Sequence, residues 1–185
     1  MINNNKLFFI LSGLMGLIVI LSNYLVQFPV QFLGLENLLT YGAFSYPITF
    51  LITDLANRAF GKKIAKRIVY IGFVIGVLLT VLVSTNFSDL ISIRIAIGSG
   101  VAFFVAQNID VSIFDKLRKN KLWFVAPFSS SIVGSIIDTF LFFSIAFYNT
   151  DLPWLSLALG DLIVKIIVAI TMLIPFRLLL SEIRE

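Results

Sequence analysis

"SYPITFLITDLANRAFGKK" (45–63) opens as a membrane span and then departs from one. An apolar run leads to Asp54, Asn57 follows one helical turn later, and only then comes the basic Lys62–Lys63 pair that should close the span. An ionised Asp at the centre of a membrane helix costs about 2.5–3.5 kcal/mol even on the lenient insertion scale. Residues held in lipid at that cost normally face the interior of a bundle and mark a pathway for a substrate or an ion.

The remainder of the chain supports the membrane reading. Of its 185 residues 59% are hydrophobic and 13% charged, with a mean hydropathy of +1.02, whereas a soluble domain is about 45–50% apolar and about 25% charged. Repeated apolar runs long enough to cross a bilayer imply an all-α polytopic membrane protein. The net charge of +4 is therefore no nucleic-acid footprint, and its distribution matters more than its sign. The chain has no His and no Cys, which excludes imidazole bases, thiol nucleophiles and disulfides, and serine or metal intramembrane proteases with them. No cofactor or metal is expected. The start, "MINNNKLFFILSGLMG" (1–16), reads as a first span that stays, because its apolar run is too long for a signal segment.

Hydropathy predicts spans at 7–28, 41–59, 68–86, 91–114, 122–147 and 156–179, a six-transmembrane-helix bundle in one domain over 1–185. Lys and Arg concentrate in Lys6, in the 58–67 and 115–121 connectors, and at the C-terminal Arg177 and Arg184. The connectors 29–40, 87–90 and 148–155 hold none and carry Glu36, Asp89 and Asp151. The positive-inside rule then puts both termini in the cytoplasm. Tyr24, Tyr148 and Trp154 fall at the outer boundary and Trp123 at the inner one, as interfacial anchors do.

Subtracting the connectors leaves Arg94 and Lys165 with Asp54, Asp110, Asp138 and Asp161 inside spans, together with Asn23, Gln27, Asn57, Gln107 and Asn108. Asp161 and Lys165 share a face at i,i+4. Arg94 and Asn108 fall about 40° apart at 100° per residue, so one face of their span could line a cavity. Asp110, near the opposite face, reads as a helix-end partner of Lys116 or Arg118. One alternative is that these charges only hold helices together, Asp138 with Arg94 for instance. The sharper expectation is a solvated pocket open to the outside for a small polar ligand. Small-xxx-small pairs, Ser12/Gly16, Gly72/Gly76 and Ala96/Gly100, mark helix contacts. "FSYPITFLITD" (44–54) and "FSSSIVGSIID" (128–138) match in register at five of eleven positions, the pattern a 3+3 inverted repeat would leave.

At these residues the chain resembles a known family. "SNYLVQFPV" (22–30), "GAFSYPITFLITDLANRAFG" (42–61), "RIAIGSGVAFFVAQNIDVSIFDKLR" (94–118), "WFVAPFSSSIVGSIIDTFLFFSIAF" (123–147) and "DLIVKIIVAITMLIP" (161–175) are similar to segments of the bacterial queuosine-precursor transporters. These form a vitamin-uptake family related to the substrate-binding subunits of energy-coupling-factor importers. The resemblance spans roughly 20–178 and implies a multi-pass importer in the bacterial inner membrane. Its implied cargo is the 7-deazaguanine precursors of queuosine, 7-cyano-7-deazaguanine and 7-aminomethyl-7-deazaguanine. The implied partners are that small molecule and the lipid bilayer, with no nucleic acid and with an energising partner left open.

A deazaguanine presents an N1–H and a 2-amino group side by side, a donor pair that one carboxylate can accept bidentately. The substrate-binding candidates are Asn23, Asp54, Arg94, Asn108, Asp138, Asp161 and Lys165. Asp138 is first choice for the donor pair and Asp161 second; Arg94 or Lys165 donates to the ring carbonyl, and Asn23 or Asn108 orients the 7-substituent. Phe44, Tyr46 and Phe50 are candidates for a flat wall, and Asp54 alternatively for carrying a coupled proton. Three other readings remain open. The chain could be a binding subunit that docks a separate ATPase module through Ser12/Gly16. It could be an intramembrane aspartyl protease using Asp138 and Asp161, since "LALGD" (157–161) approaches the Gly-x-Gly-Asp signature, although Ala158 replaces the first Gly. It could also be a scaffold with every polar group paired.

Overall fold

The computed structural model describes residues 4–32, 39–85 and 87–181; Glu36 and Arg184, used above for topology, lie outside them. Among the described residues the fold is helical, with one isolated β-bridge joining Pro29 to Thr40. The helices are α1 (Asn4–Leu25), α2 (Gly42–Ser45), α3 (Ile48–Phe60), α4 (Lys62–Leu79), α5 (Leu90–Leu117), α6 (Val125–Phe147) and α7 (Trp154–Leu179). A π-helical turn, Thr80–Ser84, extends α4. Five of these helices, α1, α4 with the start of its extension, α5, α6 and α7, are long and apolar enough to cross a membrane.

The expected span 41–59 is instead two helices, α2 and α3, separated at Tyr46–Pro47. Pro47 has no N–H to give to the preceding turn, and the backbone tightens past it: Thr49 N donates to Tyr46 O at 3.0 Å and Phe50 N to Pro47 O at 3.1 Å. Side chains add second donors to carbonyls around the break, Thr49 Oγ1 donating to Tyr46 O at 2.7 Å and Ser45 Oγ to Gly42 O at 3.3 Å. The expected 58–67 connector is a second departure. It is helical on both sides of Gly61, whose φ of 78° lets the chain reverse. Lys62, Lys63, Lys66 and Arg67 therefore ride on the first turns of α4, where long stems carry their charges toward water.

The ends of the bundle sort by charge. Arg58, Arg118, Lys121 and Trp123 line one cleft with Phe176 and Leu180, Arg177 stacks over Trp123 at 5.2 Å, and Leu7 of α1 lies near Leu179. At the other end Gln27, Pro29, Thr40, Asp89 and Leu152 meet around one cleft. The basic connectors thus share one end and the acidic ones the opposite end.

Lipid is as apolar as Leu, so helices in a bilayer gain little from burying aliphatic side chains and approach through small residues instead. The seam between α1 and α4 follows that rule. Gly72 leaves space filled by Met15, Gly76 space filled by Val19, and Gly16 space filled by Ile75. Leu11, Met15 and Val19 pack with Ala65, Ile68 and Val69 into the largest apolar core. Large side chains such as Phe9, Leu17, Leu82, Ile163 and Leu178 face outward, as they should against acyl chains. A Cβ branch at Gly72 has no space to enter. Gly72→Val is expected to destabilise the bundle by about 1–3 kcal/mol, the ordinary cost of overpacking, read as a lower thermal midpoint in detergent; an unchanged midpoint would show that the seam yields freely.

Candidate substrate site

Asp138 of α6 and Asp161 of α7 converge on one ammonium. Lys165 Nζ lies 2.9 Å from Asp138 Oδ2 and 2.6 Å from Asp161 Oδ2. The i,i+4 spacing on α7 sets the second contact, and packing of α6 against α7 sets the first. Thr139 completes the cluster, donating to Asp161 Oδ2 at 2.8 Å and accepting from Lys165 Nζ at 3.2 Å. All three charged side chains are buried. Two carboxylates around one ammonium leave a formal charge of −1.

Tyr46, at the break between α2 and α3, covers this cluster with Lys165 Nζ 5.0 Å from its ring centroid. Its hydroxyl is turned toward the Asp138 carboxylate, yet neither that hydroxyl nor Asp138 Oδ1 completes a hydrogen bond. Both atoms are buried, where native structures satisfy nearly all such groups. They border a cavity lined by Ser22, Asn23, Gly42, Tyr46, Ser99, Asp138, Phe142, Asp161 and Lys165. Asn23 is held rigidly there: its Nδ2 donates to Thr80 Oγ1 at 2.8 Å, and its Oδ1 accepts from Ser99 Oγ. Ser22 and Ser45 hydroxyls share a bond of 2.8 Å that ties α1 to α2. The cavity measures about 20 Å³, room for about one water molecule. A guest larger than a water molecule enters only when these walls part, and the broken α2–α3 segment is the wall least secured by regular helix.

The other candidates lie elsewhere. Arg94 does not pair with Asp138 and does not line the cavity: Nε donates to Ile145 O at 2.9 Å and Nη2 to Tyr148 O at 2.7 Å, capping the C-terminal end of α6. That is a favourable place for a cation, since terminal helix carbonyls carry partial negative charge. Asn108 faces α4, accepting from Tyr70 Oη at 3.2 Å and donating to Phe104 O at 2.8 Å. Asp54 sits on α3 toward the basic end and accepts from Ser130 Oγ at 3.1 Å and Ser131 Oγ at 3.4 Å. Asp110 is not a helix-end partner. It is fully buried, while Arg118 pairs with Asp115 at 3.8 Å and donates to Asn57 O at 3.1 Å. Of the aromatic candidates only Tyr46 reaches the cavity. Phe44 is 47% exposed, and Phe50 is buried against Gly134.

Residue chemistry alone did not single out Ser22, Ser99, Thr139 or Thr80, since hydroxyl residues are common in membrane helices. The available signal was adjacency: Ser22 precedes Asn23, Thr139 follows Asp138, and Tyr46 precedes the proline that breaks its helix.

Residues 40–180 match the family described as "Putative vitamin uptake transporter". The chain belongs to that family. It is 35% identical over 188 residues to the "Queuosine precursor transporter" of Escherichia coli (strain K12), covering 92% of this chain and 84% of the relative. It is 36% identical over 186 residues to the "Probable queuosine precursor transporter" of Haemophilus influenzae, covering 85% and 79%. A Bacillus subtilis protein with the same description is 30% identical over 187 residues, covering 85% and 80%. No solved structure matches the chain. Family membership and the apolar helices together make this a multi-pass membrane protein of a transporter family.

Removing Lys165 would leave two buried carboxylates without their cation. Lys165→Met is expected to cost about 3–5 kcal/mol, as uncompensated buried charges do. Adding Asp138→Asn and Asp161→Asn should restore much of the loss. Thermal unfolding in detergent tests both; a Lys165→Met protein as stable as wild type would mean that the ion cluster is solvated rather than buried.

Proposed function

We propose that this chain imports queuosine precursors, 7-cyano-7-deazaguanine or 7-aminomethyl-7-deazaguanine, across the bacterial inner membrane. The names of its relatives supply the cargo class. The observation that carries the reading to particular residues is the unsatisfied Asp138 Oδ1 beside the Tyr46 hydroxyl at the edge of the Lys165 cluster. A carboxylate oxygen has spare acceptor capacity, and a guanine-like edge offers two adjacent donors. Asp138 accepts the N1–H and 2-amino pair, Lys165 gives up its long bond to Thr139 to donate to the ring carbonyl, Asn23 orients the 7-substituent, and the Tyr46 ring lies against the base. Asp161 holds Lys165 in position. The excess negative charge of the cluster favours a donor-rich guest.

In this reading the chain is one domain that crosses the bilayer six times, α2 and α3 together making the second crossing. The end carrying Arg58, Lys62, Arg118 and Lys121 faces the cytoplasm, in keeping with the positive-inside rule. The cavity then lies toward the outer side, since Asn23 nears the far end of α1 and Asp161 the start of α7. Two observations weigh against the alternatives. Ser12 and Gly16 are buried, with Gly16 against Ile75 of α4, so the strip proposed to dock an ATPase module is engaged inside the bundle. Between Asp138 and Asp161 the Lys165 ammonium takes the position a shared proton would occupy in an aspartyl protease dyad.

Binding of the two deazaguanines to detergent-purified protein, with guanine as competitor, tests the reading. Asp138→Asn removes charge-assisted hydrogen bonds worth about 1.5–3 kcal/mol, so affinity should fall by about 10- to 150-fold. Wild-type affinity in a folded Asp138→Asn protein would take Asp138 out of the site. Absence of binding by the wild-type protein would end the import proposal.

A further inference from the structure

We infer that Asp54 and Asp110 form a proton-binding site that couples proton movement to import, distinct from the cavity around Lys165; the inference rests on the import reading above. Asp54 of α3 and Asp110 of α5 flank the contact of those two helices that the Asn57–Val111 hydrogen bond makes. Both are buried, at 2% and 0% exposure. Ser130 of α6 lies beside both, donating to Asp54 Oδ1 and facing Asp110. Neither oxygen of Asp110 completes a hydrogen bond. A second, independent atom is unsatisfied at the same α3–α5 contact. Asn57, one turn from Asp54, donates through Nδ2 to the carbonyl of Val111, next to Asp110, while its fully buried Oδ1 has no partner.

No Lys or Arg among the described residues forms an ion pair with either carboxylate. Arg58, one turn beyond Asp54, donates to Arg118 O at 3.0 Å. From α6 the pair meets only the Ser130 and Ser131 hydroxyls. Two like charges buried together without a cation do not both persist, so one positive charge belongs with them. The cavity that Asp54 lines, between α3, α6 and α7, has a volume of about 10 Å³, at the lower limit for a single water. A proton needs no such space and a hydrated metal cation needs more. The step is simple: a hydronium gives its proton to an Asp110 oxygen and leaves as water, taking the pair from −2 to −1.

The internal repeat says why this place pairs with the substrate cavity. The offset that carries Asp54 to Asp138 also carries Tyr46 to Ser130, Ser12/Gly16 to Ala96/Gly100 and Gly72/Gly76 to Ser156/Gly160. In space the exchange is reciprocal: Ser130 bonds Asp54, and Tyr46 faces Asp138. Phe50 packs on Gly134, its own counterpart. Such crossed contacts are the signature of a two-fold relation. The counterpart of Asp110 is Val26, which lines the substrate cavity. The counterpart of Lys165 is Val81, so one half of the repeat has a built-in cation and the other must take one from solution.

The test uses the full chain in proteoliposomes with radiolabelled 7-cyano- and 7-aminomethyl-7-deazaguanine. Wild-type protein should accumulate label under an inward proton gradient and not under a sodium gradient. Asp110→Asn should bind and exchange label across the membrane but lose gradient-driven accumulation, and Asp110→Glu should retain it. A substrate-free readout accompanies it: the infrared carbonyl band of a protonated carboxylic acid, present in purified wild-type protein near neutral pH and lost in Asp110→Asn. Accumulation by Asp110→Asn equal to wild type, dependence on sodium alone, or no such band in wild type would each overturn the inference. If wild-type protein moves neither base, the import reading fails, and the infrared band still decides the proton site.

Discussion

A lysine ammonium held between two carboxylates inside a bilayer governs the architecture. Lys165 alone would be intolerable at that depth, and so would Asp138 or Asp161 alone. Their mutual contact forces α6 and α7 together at a fixed height. Thr139 and Tyr46 are then required around them, because remaining lone pairs and protons must also find partners. Buried ion pairs are a poor means of stabilisation compared with packed apolar groups. The cluster is incompletely satisfied, with Asp138 Oδ1 and the Tyr46 hydroxyl left over beside the cavity, which is why the proposed ligand contact is placed there.

The break at Pro47 is the second element of that arrangement. A continuous helix would satisfy its own backbone and present a closed surface. Stopping α2 at Ser45 and restarting α3 at Ile48 brings Tyr46 over the ion cluster and leaves irregular backbone beside a polar cavity, the setting in which membrane proteins tolerate it. Hydroxyl side chains soften the cost locally, as Thr49 and Ser45 do. The rigid part lies elsewhere, in the glycine seam of α1 and α4, where backbones approach closely enough for Met15 and Val19 to fill the spaces at Gly72 and Gly76. A firm α1–α4 pair beside a discontinuous α2–α3 segment is a division suited to opening a small cavity without dismantling the bundle.

The two acidic centres differ in one respect that matters for their chemistry. Both combine a carboxylate with a hydroxyl contributed across the repeat, Asp138 with Tyr46 and Asp54 with Ser130. Among the described residues only the first has an internal cation. Arg94, which was a candidate to neutralise Asp138, binds the carbonyls at the end of α6, and Arg118 those at the end of α3. Among the described residues Arg94 and Arg118 thus serve helix ends and Lys165 a buried ion cluster, and Asp54 is left with hydroxyl neighbours.

The amino-acid sequence by itself determined the membrane class, the five apolar segments that form membrane-length helices, the segregation of basic residues and the short inventory of intramembrane charges. Each follows from composition and from the cost of charge in lipid, which do not depend on how helices turn. The Asp161–Lys165 contact was also readable, because i,i+4 spacing on one helix fixes it. Which charges meet across helices was decided only by tertiary packing. Arg94 and Asp138 stand at compatible depths, yet helix rotation sends Arg94 to the α6 terminus and gives Asp138 to Lys165. Asp110 falls near the basic end of its span, which made it a helix-end partner for Lys116 or Arg118; packing buries the carboxylate and turns Arg118 to α3. Depth is a one-dimensional property that a sequence carries, whereas azimuth is set by neighbours, and the site is made of azimuths.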